Sequence, residues 1–353
     1  MTDSDLSAAK SKKEQFENLE SGLPPANDAG VFGATIKPEE SELILIGVPW
    51  DATTSYGGGT SESPLALLPA SHQLDLEDLA FGQPYKKGIT LLPLDEEILA
   101  LSKSTRKKVL QYRESADAQA EKPSLLKDIN GASDFVNIKV EQCATKWLSQ
   151  GKKVAVVGGD HSSPFGLLVA LSKVHRSFGI LHVDAHFDLR AGYEGFHHSH
   201  ASIMHNVMSK LPNVSHIAQL GIRDFSRDER LFHESLGSRS SVMYSRDIGR
   251  KKAMGTNWSQ MVDELLRPLP EKIYISFDID GLDPSLCPST GTPVPGGLQY
   301  EETMYLLESI VATGRKVIGF DLCEVTPNPS SEWDANVGAR ILYKLCGTLL
   351  SSM

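Results

Sequence analysis

Short apolar segments recur along this chain from Leu43 onwards, and they alternate with amphipathic segments. The apolar segments have the length of buried strands, and the amphipathic segments have the spacing of helices that cover one face of a sheet. This alternation predicts an α/β fold in which parallel strands are joined by helices. Eight strands are predicted, enough for one sheet, at residues 43–48, 89–94, 153–157, 179–183, 215–221, 242–244, 273–277 and 317–321.

The rest of the chain divides into helices, an N-terminal arm and a linker. Helices are predicted at residues 106–114, 124–149, 164–174, 201–211, 258–266, 300–313 and 334–350. Residues 1–40 are polar and contain Gly22, Pro24 and Pro25, so we expect a loosely structured arm. Residues 41–353 are predicted to form a single domain, in which the polar stretch 113–123 is a solvated linker between helices.

Charge and cysteine usage restrict the partners and the compartment. With 45 acidic and 35 basic residues, the formal charge of -10 argues against a nucleic-acid partner, because nucleic-acid affinity depends on Lys and Arg. Such a chain suits a cationic or neutral small molecule. No apolar run is long enough to cross a bilayer, so no membrane partner is expected. Four cysteines lie far apart without a CxxC pair, which predicts reduced thiols and a cytoplasmic location.

The segment Asp184-Ala-His-Phe-Asp188 crowds polar groups at the end of a predicted strand. Alternate residues of an extended chain face the same way, so Asp184, His186 and Asp188 are predicted to share one side. Carboxylates so close to a buried strand are costly without a positive charge. Carboxylate oxygen together with imidazole nitrogen suits Mn, Fe, Ni or Zn, whereas a surface ion-pair cluster is the alternative.

Two further motifs follow predicted strands. Gly158-Gly-Asp-His-Ser162 presents His161 after a tight exit, although a purely structural turn is the alternative interpretation. The segment at 276–284 adds Asp278 and Asp280 at alternate positions, and Asp283 is expected to brace the turn with Pro284. Two histidines and four aspartates are too many ligands for one ion with an open position, and they suit two ions.

The motifs GGDHS, DAHFD and SFDIDGLDPSLCPSTGTPVPGGL resemble the ureohydrolase superfamily of arginases and agmatinases, agmatinase-like members in particular. The resemblance extends over residues 43–350, almost the whole chain outside the N-terminal arm. It implies a three-layer α/β/α fold around a mostly parallel eight-stranded sheet. It also implies a hydrolase that acts on linear amidine C–N bonds and releases urea.

The resemblance further implies two divalent metal ions. Carried over by position, the ligands are His161 and Asp188 for one ion, His186 and Asp280 for the other, and Asp184 and Asp278 as bridges. The family's usual ion is Mn²⁺, and Ni²⁺ is the alternative. Between two such ions a hydroxide can form near neutral pH and attack a guanidinium carbon, which is otherwise a poor electrophile.

Three catalytic roles follow from the same resemblance. Glu324 matches the glutamate that binds the guanidinium group by paired hydrogen bonds, with an ordinary salt bridge as the alternative. His200 matches the histidine that shuttles protons, and His197 and His198 are its rivals. Asp188 is expected to relay the proton of the hydroxide to the leaving amine.

Substrate identity is expected to depend on the loop that follows Asp188. Arg190 is a candidate for binding a substrate carboxylate, and Glu194 is a candidate for binding an amine. Bulky Tyr193, Phe196 and Trp333 would shorten the pocket toward a small substrate, even guanidine. The loop lacks the Ser and Asn pattern by which arginases bind the main-chain groups of arginine.

Agmatine is therefore the default substrate, and guanidine, a guanidino acid such as guanidinobutyrate, arginine and formiminoglutamate are the alternatives. Two other classes also remain open: a catalytically silent relative that binds a metal or a guanidinium ligand, and a deacetylase of related fold that needs one metal. The intact set of six ligand positions argues against the silent relative. For assembly, the resemblance implies a homo-oligomer, either a trimer or a hexamer.

Overall fold

A single sheet of eight strands forms the centre of the molecule in the computed structural model, which describes residues 12–21, 24–26, 28–114 and 122–352. The strands are β1 Leu43–Gly47, β2 Ile89–Leu91, β3 Lys153–Val157, β4 Phe178–Val183, β5 Val214–Leu220, β6 Ser240–Met243, β7 Lys272–Asp278 and β8 Lys316–Cys323. All eight predicted strands are confirmed, with ends that differ by at most three residues.

The strands are hydrogen-bonded in the order β2-β1-β3-β8-β7-β4-β5-β6. Every neighbouring pair is parallel, so the sheet is more regular than the mostly parallel sheet that we predicted. Four adjacent strands, β3, β8, β7 and β4, occupy the centre. Because all strands run the same way, their carboxyl ends meet at one edge, where open α/β sheets bind ligands.

Alternate strand residues build two separate cores, one on each face of the sheet. In β1, Leu43 and Leu45 belong to one core, whereas Ile44 and Ile46 belong to the other. This follows from the two-residue period of an extended chain, and burial on both faces explains why the strands are continuously apolar. Helices supply the outer surfaces of both cores, so the predicted three-layer α/β/α arrangement is confirmed.

Eleven α-helices lie within the described residues. They are α1 Lys12–Glu20, α2 Ser63–Ala70, α3 Glu96–Glu114, α4 Lys122–Leu148, α5 Phe165–Val174, α6 Ile203–Lys210, α7 Arg227–Ser235, α8 Ser245–Ala253, α9 Trp258–Leu266, α10 Tyr300–Ala312 and α11 Trp333–Ser351. The first core packs against α9, α10 and α11, and the second packs against α4, α5 and α6.

Most differences from the predicted helices concern polar first turns and short helices. Helix α3 begins ten residues earlier than predicted, because the Asp95 side chain accepts hydrogen bonds from the Glu97 and Ile98 amides and caps it. Helices α2, α7 and α8 were not predicted. Helix α7 is polar, and it begins with a capping box in which Ser226 and Glu229 bond each other's backbone.

The N-terminal residues differ from the loose arm that the sequence predicts. Residues 12–20 form α1, and Phe16 is buried edge-on against Tyr85 at a centroid distance of 5.4 Å. Phe32 is also buried, because its ring packs against Tyr343 of α11. Apolar side chains at wide spacing thus anchor this segment to the domain, although its composition is polar.

Two other expectations concern the linker and the membrane. The predicted linker at 113–123 lies between α3 and α4, but residues 115–121 are outside the described part of the chain. None of the described helices has both the length and the apolar character of a membrane span.

Two glycine substitutions test how tightly the strand ends are packed. A Cβ atom at Gly159 would lie 1.8 Å from the Trp50 carbonyl oxygen, whereas a Cβ atom at Gly249 in α8 would meet nothing within 4 Å. We expect Gly159→Ala to lower the free energy of unfolding by about 1–3 kcal/mol or more, because the backbone of Trp50 must move. The control Gly249→Ala should raise it by roughly 0.5–1 kcal/mol. Denaturant unfolding measures both, and an unchanged Gly159→Ala would contradict the packing described.

Candidate metal centre and active site

Polar side chains from four neighbouring strands meet at the carboxyl edge of the sheet. The six predicted ligands are His161 after β3, Asp184, His186 and Asp188 after β4, Asp278 at the end of β7, and Asp280 just beyond it. Glu324 follows β8, which lies between β3 and β7 in the sheet. Adjacent parallel strands therefore bring together residues that are more than 160 positions apart in the sequence.

His161 is buried, and one nitrogen of its ring faces a group of carboxylates. Its Nδ1 atom lies 3.0 Å from Asp188 Oδ2, 3.1 Å from Asp184 Oδ2 and 3.4 Å from Asp278 Oδ2. The opposite nitrogen, Nε2, lies 2.8 Å from the hydroxyl of Ser276. The hydrogen bond to Ser276 fixes the ring so that Nδ1 points into the carboxylate group.

His186 forms a second group beside the first. Its Nδ1 atom lies 3.1 Å from Asp280 Oδ2 and 3.5 Å from Asp184 Oδ1. Asp184 thus faces His161 with one carboxylate oxygen and His186 with the other, so a single side chain joins both groups. Donor atoms within each group lie within 4.8 Å of one another, and their mixture of nitrogen and oxygen suits divalent transition-metal ions.

Burial controls the titration of this cluster. Burial raises the pKa of Asp278 well above its usual value, and the charges of Asp280 and Asp184 raise it further. Burial and the charge of Asp184 raise the pKa of Asp188 to about 6. Burial lowers the pKa of His186, but the carboxylates of Asp280 and Asp184 outweigh burial and raise this pKa to about 12. The cluster by itself retains protons, and a divalent cation is the counter-charge that could replace them.

Sequence reasoning missed two residues that orient the cluster. His182 Nε2 lies 2.8 Å from Asp184 Oδ2, while its Nδ1 accepts a hydrogen bond from the Gln219 amide at 2.9 Å. Asp321 accepts a hydrogen bond from Ser276 Oγ at 2.9 Å and so fixes the hydroxyl that contacts His161. The signal for His182 was present, because it extends the alternate spacing of the DAHFD motif backwards by two residues.

Two other aspartates of the motifs serve their own loops. Asp160 accepts hydrogen bonds from the Ser162 amide at 3.0 Å and from the Thr53 hydroxyl at 3.3 Å. Asp283 accepts a hydrogen bond from the Ser285 amide at 3.0 Å, which is the turn-bracing role that we predicted. Neither carboxylate faces the two histidines of the cluster.

Glu324 is buried next to the cluster, and its backbone is left-handed with φ 62°. Its Oε1 atom accepts a hydrogen bond from the His161 amide at 3.0 Å. Its Oε2 atom is buried and has no hydrogen-bond partner among the described residues. Burial and the charge of Asp160 raise the pKa of Glu324 well above its usual value. The arrangement leaves one carboxylate oxygen for a cationic donor from outside the protein, because an unpaired buried oxygen is costly.

A cavity of about 190 Å³ lies against the cluster. Its wall includes His186, Asp188, Ser55, Arg190, Tyr193, His200, Asp224, Phe225, Glu229 and Thr292. Asp188 has a left-handed backbone, φ 54°, that a non-glycine residue rarely adopts. This strain at the cavity wall is typical of residues whose orientation matters for function.

His200 is the predicted histidine that reaches this cavity. Its Nε2 atom lies 3.2 Å from the hydroxyl of Ser55, and its Nδ1 atom has no partner among the described residues. Burial, together with the positive charges of His186 and Arg113, lowers the pKa of His200 to about 3. His198 instead packs against Phe165, and His197 is exposed outside the cavity wall.

The predicted substrate contacts divide between the cavity and the surrounding structure. Arg190 lines the cavity, where its guanidinium lies 4.9 Å from the centre of the Tyr193 ring and 3.5 Å from Glu229. Glu194 lies outside the cavity wall, because its carboxylate pairs with Arg113 at 2.7 Å.

The predicted bulky residues divide in the same way. Tyr193 lines the cavity. Phe196 is buried between α3 and α4, and Trp333 is half exposed at the start of α11, so neither ring shortens the cavity.

Comparison with known proteins gives consistent matches over nearly the whole chain. A sequence model of the arginase family matches residues 41–347. N(1)-aminopropylagmatine ureohydrolase of Thermus thermophilus is 31% identical over 320 residues, covering 90% of this chain and 94% of that protein. Proclavaminate amidinohydrolase of Streptomyces clavuligerus is 27% identical over 87% of this chain and 89% of its own. The crystal structure of agmatine ureohydrolase of Thermoplasma volcanium superposes with a TM-score of 0.69 at 25% identity, covering 95% and 98% of the two chains.

Proposed function

Because this chain belongs to the arginase family, we propose that it cleaves a C–N bond of a small guanidino compound and releases urea and an amine. The observation that carries the proposal is the geometry of Asp184, which joins two groups of imidazole and carboxylate donors. Glu324 lies beside them with one unpaired oxygen. Relatives that match almost the full length are named ureohydrolases, hydrolases that act on linear amidine C–N bonds.

The cluster is proposed to hold two divalent metal ions. The proposed ligands are His161 and Asp188 for one ion, His186 and Asp280 for the other, and Asp184 and Asp278 for both. The donor set fits such ions, because both Nδ1 atoms face carboxylate oxygens and the retained protons are replaceable by metal charge. Mn²⁺ is the proposed ion, with Ni²⁺ as the alternative. When bound, the ions supply a water molecule activated for attack near neutral pH.

Glu324 is proposed to bind the guanidinium group of the substrate. A carboxylate and a planar guanidinium form paired charge-assisted hydrogen bonds, and Oε2 is free to complete such a pair. A Cβ atom at Gly291 would lie 3.2 Å from Oε2, so the glycine leaves room beside the carboxylate. Since Oε1 is bonded to the His161 amide, the guanidinium carbon is held close to the cluster.

Asp188 and His200 are proposed to move the protons. Both line the cavity, and Asp188 also lies within the cluster, so it can pass a proton to the amine that leaves. His200 lies on the far side of the cavity with Nδ1 unpaired, and it exchanges protons with solvent. Its contact with the Ser55 hydroxyl orients the ring for this role.

Agmatine is the substrate that we propose first. Asp224 lines the cavity, and its carboxylate has no hydrogen bond or ion pair within the described residues, so it suits the terminal amine of agmatine. The other acidic groups nearby are engaged, because Glu229 caps α7 and Glu194 pairs with Arg113. The small cavity favours one alternative, guanidine itself, since pockets for larger ligands typically exceed about 300 Å³.

Arginine, guanidino acids and formiminoglutamate remain alternatives for which Arg190 is the proposed carboxylate contact, although it already lies near Glu229. The cytoplasmic location and the trimeric or hexameric assembly stay predictions. A catalytically silent relative and a one-metal deacetylase are the readings that activity and metal content must exclude.

The Asp278→Asn variant tests the proposed metal centre. We expect urea release to fall below detection and metal content to drop, because the amide removes a charge that both ions share. The matched control is Asp283→Asn, since Asp283 braces a turn outside the cluster and should leave both quantities unchanged. Urea assays and elemental analysis make the comparison, and a fully active Asp278→Asn would refute the assignment.

The Asp224→Asn variant tests the substrate. Urea or ammonia release is first screened over agmatine, arginine, guanidinobutyrate, guanidinopropionate, formiminoglutamate and guanidine, with Mn²⁺ and Ni²⁺ supplied separately. If agmatine is turned over best, Asp224→Asn should raise its KM roughly two- to fivefold, as expected for a half-exposed ion pair. Asp228→Asn on α7 is the matched control and should leave this KM unchanged. Preferred turnover of guanidine, with no effect of Asp224→Asn, would replace agmatine by guanidine.

A further inference from the structure

The loop 189–200, which follows Asp188, packs against the paired helices α3 and α4 rather than standing free. Phe196 is fully buried in a small apolar cluster with Val109 of α3 and Ile129 of α4. The Asn130 side chain holds the loop on both sides of this ring, since it donates to the Gly195 carbonyl at 3.2 Å and accepts from the His197 amide at 2.9 Å. The two helices therefore fix the middle of the loop.

Arg113, near the end of α3, contacts this loop and a second loop at the same time. Its Nε atom donates to Glu194 Oε2 at 2.7 Å, and its Nη1 atom donates to the Thr54 carbonyl at 3.0 Å. Arg106, two turns earlier on α3, also donates to the Thr54 carbonyl. The side chains of Arg113 and Glu194 are only 21% and 31% exposed, so the pair is largely shielded from water.

The two loops that Arg113 joins also meet over the cavity. Thr54 precedes Ser55, whose hydroxyl lies 3.2 Å from His200 Nε2. Glu194 precedes the end of the other loop, and its backbone is left-handed with φ 56°, which non-glycine residues avoid unless other contacts hold them. Displacing either loop would change the distance between Ser55 and His200.

We propose that Arg113 is a positioning residue that sets the placement of His200, by joining loop 51–59 to loop 189–200 through Thr54 and Glu194. The inference rests on the proposed function, because it assumes that His200 takes part in turnover. Arginine suits this task, since its planar fork donates to two acceptors in fixed directions, whereas a lysine has one nitrogen on a flexible stem. Glu194 is then a partner of Arg113 and not a receptor for the substrate amine.

The Arg113→Met variant tests this assignment at saturating metal. We expect kcat to fall about tenfold to a hundredfold, as misplaced catalytic groups typically cost. Metal content should stay at the wild-type level. Arg113→Lys should restore little of the loss. Lys108→Met is the matched control on the same helix, because Lys108 forms only an exposed ion pair with Asp128, and its kcat should be unchanged.

A double-mutant cycle separates positioning from general stability. If Arg113 acts through His200, then Arg113→Met combined with His200→Ala should be no slower than His200→Ala alone. Hydrogen exchange of residues 192–200 should be faster in Arg113→Met than in the Lys108→Met control. Losses that multiply in the double variant, or a wild-type kcat in Arg113→Met, would overturn the proposal.

A second variant covers the case in which Arg113→Met does not fold. Glu194→Gly removes the ion pair but tolerates the left-handed backbone, so its kcat should fall in the same direction as in Arg113→Met. An unchanged kcat and unchanged hydrogen exchange in Glu194→Gly would refute the proposal. If the wild type releases no urea from any compound, the proposed function fails instead, and hydrogen exchange alone decides whether Arg113 holds the loop.

Discussion

Four aspartates buried side by side cannot all remain charged unless positive charge lies among them, and this constraint shapes the centre of the molecule. Asp184, Asp188, Asp278 and Asp280 are each less than 5% exposed. Their mutual repulsion and burial raise the pKa of Asp278 far above its usual value. The protein supplies two imidazoles among the carboxylates but no lysine or arginine side chain, which leaves cations as the natural counter-charge.

The surrounding structure serves to hold these groups in place. The hydroxyl of Ser276 and the carboxylate of Asp321 fix His161 from behind, and Gln219 fixes His182 against Asp184. Arg223 holds the loop beyond β7, because its guanidinium donates to the backbone carbonyls of Asp280 at 2.6 Å, Leu282 at 3.0 Å and Val294 at 3.1 Å. Such outer contacts orient ligands and reduce the reorganisation that cation binding requires.

The sequence predicted the strands and the six cluster residues well because both depend on local patterns. Continuous apolar segments mark strands buried on both faces, and alternate polar residues mark the strand ends. Contacts between distant segments were not predictable in this way. The pairing of Arg113 with Glu194 and the contact of Ser55 with His200 join loops whose approach depends on how α3 packs. Glu194 was accordingly predicted as a substrate contact, and Phe196 was predicted to line a pocket that it does not reach.

Anomalous diffraction from crystals grown with Mn²⁺ tests the central claim most directly. The account predicts two strong anomalous peaks per chain, one beside His161 and one beside His186, both in contact with Asp184 and Asp278. A single peak, or two peaks that do not share Asp184, would contradict the proposal that this carboxylate joins two metal sites.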